Sequence, residues 1–256
     1  MSEKNLPFVD LEIADSNYNN RILPFLGNVD SGSLFKWYLY NILRILGIAL
    51  LVGGIALSIT ELFGDSGFIK QTFGNDAMTG GKKAGAGAGL IVGLVLSIVT
   101  AWAMYSIVKK RSEQLNEQEY TGLLHFLYAT MAPRMITLAG ELAFCIVLYV
   151  GVLSLTATLV GSMAYAPLLS FSKIFLSLPG VDMIGAMVPN SISRDYDVFS
   201  QGLQESLTTI VASVAVLIAY YIYREIYNYA VLIVTNLIKF LPKFAIPIAV
   251  RNKSEQ

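Results

Sequence analysis

The sequence predicts an all-α integral membrane protein with about four transmembrane helices, and three observations carry that prediction. Of 256 residues, 55% are hydrophobic and 14% charged, with a mean hydropathy of +0.59; an ordinary soluble domain is far less apolar. Four apolar runs are each long enough to cross roughly 30 Å of hydrocarbon. Gly81, Gly85, Gly89, Gly93, Ser97 and Ala101 recur at every fourth position. That spacing leaves one helix face without bulk, so another backbone can pack closely where lipid supplies no hydrophobic drive.

Taken in order, residues 1–33 read as a polar cytoplasmic tail without the charged-then-apolar pattern of a cleaved signal peptide. A first span covers about 37–63, interrupted near its start by Asn41 and Arg44. A loop rich in Gly, Asp and Lys follows, and the glycine-striped second span, about 84–108, ends at Lys109, Lys110 and Arg111. The third span, about 135–161, begins after Pro133 and Arg134; the fourth is about 206–223. Between them, Pro167, Pro179 and Pro189 cut 162–205 into pieces too short to cross, with Lys173 and Asp182 inside. This segment reads as interfacial helices or a re-entrant excursion. After Tyr223 the chain stays apolar to Leu241, with Arg224, Asn228, Thr235 and Lys239 at roughly helical spacing. It predicts either a helix bending onto the membrane surface or a long helix projecting toward a partner. Pro242 and Pro247 end it, leaving 242–256 as a second cytoplasmic tail and 34–241 as the membrane domain.

Charge sets the expected orientation. Of 18 basic residues only Lys70, Lys82, Lys83, Lys173 and Arg194 fall on the far side when both termini are cytoplasmic, as the positive-inside rule requires of four spans. Trp37, Tyr38 and Tyr40, then Trp102 and Tyr105, then Tyr220, Tyr221 and Tyr223 are expected at the cytoplasmic interface, where amphipathic rings settle. The pattern suits a bacterial cytoplasmic membrane.

Equal numbers of acidic and basic residues, 18 each, argue against nucleic-acid binding. One cysteine, Cys145, and one histidine, His125, provide neither an internal disulfide nor a Cys/His metal cluster; no metal or cofactor is expected. Gly81-Lys82 fails as a phosphate loop, because Asp76 and Lys83 stand where glycine and serine or threonine are needed. A dinucleotide fingerprint at Gly87 and Gly89 fails at Val92. His125 lies among Leu123, Leu124, Phe126, Leu127 and Tyr128, a context for a surface helix rather than a triad. Asp195 and Asp197 are two acids without further cation ligands.

Glu141 is the one acid expected inside a span, about two turns below the start of the third. An ionisable group there costs several kcal/mol unless paired or neutralised. Arg44, Arg134 and Arg224 are its expected partners near the same leaflet; a proton or cation site is the functional alternative. In the N-terminal tail, Val9, Leu11 and Ile13 alternate with Asp10 and Glu12, and Leu6-Pro7-Phe8 reappears as Leu23-Pro24-Phe25. Proline-fixed apolar peptides of this kind lose little freedom on docking against another subunit.

These features lead to an expected function: a non-enzymatic integral subunit that scaffolds a larger membrane complex, with the lipid bilayer and other membrane-protein subunits as its partners. A small ion channel or proton-coupled transporter using Glu141 is the alternative.

Overall fold

A computed structural model describes residues 23–30, 32–64, 67–76, 78–117, 123–169 and 199–240. It is built of helices: α1 (Leu23–Asp30), α2 (Ser33–Phe63), α3 (Phe68–Phe73), α4 (Gly80–Glu117), α5 (Leu123–Val160) and α6 (Phe199–Phe240). Four of them, α2, α4, α5 and α6, are long and apolar enough to cross a membrane. The chain is a multi-pass membrane protein.

The long helices run antiparallel in an open row: α2 packs on α4, α4 on α5, and α5 on α6, with no comparable contact between α2 and α6 among the described residues. A soluble bundle would close to hide its flanks. In lipid an apolar flank such as Ile45, Val52 and Ile59 on α2 or Val211, Ile218 and Ile222 on α6 meets a solvent as apolar as itself, so closure gains little. Leu43, Leu50, Met104, Val108, Leu142 and Ile146 fill the α2–α4–α5 seam, while Ala143, Val147 and Val216 fill the α5–α6 seam.

Two helices depart most from the sequence reading. α5 starts at Leu123 rather than near residue 135, because the chain continues through Pro133 by widening. Phe126–Met131 is a π-turn in which the Ala132 N–H reaches back to the Leu127 carbonyl, relieving the clash that a proline ring makes with an ordinary turn. α6 is one uninterrupted helix that absorbs both 199–205 and the segment 224–240; Arg224 and Glu225 do not break helical hydrogen bonding.

Gly161, with φ of 57°, ends α5 in the left-handed conformation that glycine adopts without penalty. The chain then turns back as extended backbone instead of another helix.

Candidate functional site

Two clusters organise the row, one at each end. At the basic end, Glu141 on α5 meets Arg111 on α4. The guanidinium is bidentate: Nε donates to Oε2 at 2.9 Å and Nη2 donates to Oε1. Arg111 Nη1 also donates to Gln114 at 2.9 Å, and the Tyr221 hydroxyl on α6 donates to Glu141 Oε1 at 3.1 Å. One carboxylate therefore clasps three long helices. The acidic and basic side chains are 17% and 19% exposed, dry enough for a planar, charge-assisted pair to matter.

The sequence reading had paired Glu141 with Arg44, Arg134 or Arg224. None of the three makes the bond. Arg44 is exposed on α2, at the far edge of the row. Arg134 adds positive charge near Arg111. Arg224 lies over the Tyr221 ring, 5.1 Å from its centroid, and pairs with Glu225 on its own helix. Arg111 takes the place because α4 continues helically to Glu117, carrying the basic cluster at its end alongside the descending α5.

At the opposite end the small-residue stripe of α4 is occupied by the end of α5 and the non-helical backbone that follows it. The extended backbone after α5 lies along it. A Cβ on Gly85 would stand 2.7 Å from the Val160 carbonyl oxygen, and one on Gly89 would stand 2.6 Å from that of Met163; at Gly93 it would collide with Tyr165. The Tyr165 N–H donates to the Gly89 carbonyl at 3.4 Å, and the Ser162 hydroxyl donates to that of Lys82 at 2.8 Å. Non-helical backbone inside a membrane needs its polar groups enclosed by protein, and a face stripped of side chains brings protein close enough to do so. Farther along the stripe, Ser97 bonds to Tyr149 and Ala101 meets Gly54. Gly81, at the other end, has nothing within 4 Å. The stripe thus packs within the chain from Gly85 to Ala101.

Two features escaped the sequence reading. Glu61 is a second acid inside an apolar run, in the last turn of α2, half-buried beside a cavity of about 420 Å³ that Thr60, Phe68, Gln71, Tyr165 and Ala166 also line. Its position in the first span was the available signal. The other is a second small-residue seam, at Gly140 and Gly151 on α5, where α6 presses Tyr220 and Ile210. Their spacing of eleven, three helical turns, was legible, but the denser stripe on α4 masked it.

Among the described residues no three His, Cys, Asp or Glu side chains gather as for a metal. His125 is exposed, its ring edge-on to Tyr128. Leu23, Pro24 and Phe25 form the start of α1, with Leu23 and Phe25 exposed. Leu6, Pro7, Phe8, Val9, Leu11 and Ile13, and also Asp195 and Asp197, lie outside the described residues. No family model matches this chain, nor does any curated protein or solved structure.

Proposed function

We propose that this chain is a non-enzymatic subunit of a larger membrane assembly, with its basic end and both termini cytoplasmic, in a bacterial cytoplasmic membrane. The observation that carries the reading is α6. Its 42 residues extend about 63 Å, twice the hydrocarbon thickness. Beyond the Glu141–Tyr221 level it stays apolar, and Ile226, Tyr229, Leu232, Ile233, Val234 and Leu237 are all at least half exposed. Outside the polar stripe of Arg224, Asn228, Thr235 and Lys239, this leaves a broad exposed apolar face of the kind that protein or lipid covers. On this reading the charged layer of Arg111, Glu141 and Arg224 lies toward the membrane edge, and the projecting half stands where a neighbouring subunit would enclose it. The open row supports the same reading, as do the proline-fixed peptides of the N-terminal tail.

The test is site-specific photo-crosslinking in intact membranes, with the probe at Leu232 or Ile233 on the arm and at Ile45 on the lipid flank. Arm probes are expected to yield one stoichiometric adduct with another polypeptide while the flank probe yields none. A lone, monodisperse monomer free of adducts overturns the proposal. One observation favours a carrier instead: non-helical backbone at 161–169 within the apolar depth, a feature common where solutes cross. Proton or ion flux in reconstituted vesicles that disappears in Glu141→Gln would support it, although both oxygens of that carboxylate are already engaged.

A further inference from the structure

The projecting half of α6 has one face that the described residues leave open. Tyr223, Ile226, Tyr229, Ile233, Val234 and Leu237 are each more than half exposed, and at about 100° per residue they fall within an arc of about 140°. The half-buried positions of the same stretch, Arg224, Tyr227, Val231 and Thr235, lie outside it. Within the arc, Tyr223, Ile226, Ala230, Ile233 and Leu237 follow one another at intervals of three, four, three and four. That is the spacing of a coiled-coil seam, with alanine at its middle to let a second backbone come close.

Charge, alignment and area choose the occupant. No charged residue lies in the arc: Arg224 and Glu225 fall outside it and pair with each other. Facing the same arc on a second copy therefore brings no like charges together. The membrane supplies alignment. Every copy inserted under one charge bias carries its arm to the same side and the same height, so two arms meet parallel and in register. Each seam residue then faces its own equal across a two-fold axis. The area suffices: the arc exposes roughly 800 Å² per chain, and two arcs face to face hide on the order of 1,300 Å², within the range of specific interfaces. A lipid surface fits less well. A helix lying there carries Lys and Arg along its polar face, and none occurs between Glu225 and Leu237. We propose that two copies of this chain pair through their α6 arms as a parallel two-stranded coil. The inference rests on the projecting arm of the proposed assembly and names its partner as the chain itself.

The experiment uses the full chain in isolated membranes, with Cys145→Ala as background and one cysteine introduced at a time under mild oxidant. A disulfide requires Cα atoms within about 7 Å of each other, which among exposed positions of the arm only the seam of a two-fold pair satisfies. Ile226→Cys, Ala230→Cys and Ile233→Cys are expected to form a species of twice the 28.0 kDa chain mass, at least about tenfold faster than Asn228→Cys or Leu232→Cys. Independently, Ile233→Glu, at a position exposed in the single chain, sets two like charges on the seam. It is expected to raise the dissociation constant, read by energy transfer between labelled copies over a dilution series in vesicles, about tenfold or more. Dimers without positional preference, or unchanged association of Ile233→Glu, would overturn self-pairing. A stoichiometric arm adduct of another mass would leave the subunit reading standing and overturn this one; no adduct of any kind would overturn both.

Discussion

The Tyr149 hydroxyl lies 3.0 Å from Ser97 Oγ in the middle of the α4–α5 seam. Because Ser97 Oγ donates to the Gly93 carbonyl at 2.6 Å and the Leu168 N–H donates to Tyr149 at 3.3 Å, the direction is set: Leu168 to Tyr149 to Ser97 to Gly93. This chain of bonds ties the returning segment to α5 and then to the stripe on α4. Tyr149 is 2% exposed. Tyr149→Phe keeps the volume but strands the Leu168 N–H, and it is expected to cost about 1–3 kcal/mol. Denaturant titration in mixed micelles measures it. Ser97→Ala, which removes no backbone donor's acceptor, should cost less.

The Arg111–Glu141 clasp calls for a double-mutant cycle. Glu141→Gln or Arg111→Met alone leaves one partly buried charge without its counter-ion, at a cost of roughly 2–4 kcal/mol, somewhat below that of a fully buried pair. The double variant should recover at least 1 kcal/mol of the summed loss, since neither charge then remains. Additive losses in the same titration would mean the pair contributes nothing specific.

The stripe on α4 divides sharply by position. Gly89→Leu must push the Met163 backbone off the helix and is expected to destabilise by at least about 3 kcal/mol, as overpacking against unyielding backbone does. It should also make the loop after Gly161 susceptible to added protease. Gly81→Leu faces open space, and its effect should remain within about 0.5 kcal/mol. Equal behaviour of the two would contradict the packing described.

The α5–α6 seam has its own check. Gly140 touches Tyr220, and a Cβ at Gly151 would stand 2.8 Å from Ile210, while Ser206 donates to Ser154 at 3.1 Å between them and the end of the seam. Gly140→Leu is expected to separate the helices by an ångström or more near the basic end. Spin-label distances between α5 and α6 would register it, alongside loss of the Tyr221 bond to Glu141.

Pro133 provides a fifth local test. With Pro133→Ala the need for a wide turn disappears, so Phe126–Met131 should relax to an α-turn, rotating Leu123 to His125 by about 100°. A cysteine accessibility scan of those three positions would detect the rotation, and an unchanged pattern would show that packing of Phe126 and Thr130, both buried, holds the π-turn by itself.

Much of this protein was legible before any fold was known. Apolar runs of membrane length, basic residues at their ends and a stripe of small residues are one-dimensional signals, because the bilayer imposes thickness, polarity and the penalty for charge on each segment separately. Membrane placement, four spans and the importance of Glu141 follow from them. Partnership does not. That Glu141 takes Arg111 rather than Arg134, that Gly89 receives an extended strand of backbone instead of a helix, and that Glu61 opens onto a cavity depend on which helix lies beside which, and at what height. Those choices arise from shape matching between faces far apart in the chain, where a single turn of helix, 5.4 Å, decides whether two side chains meet. No local pattern carries that height, so only the packed structure could decide it.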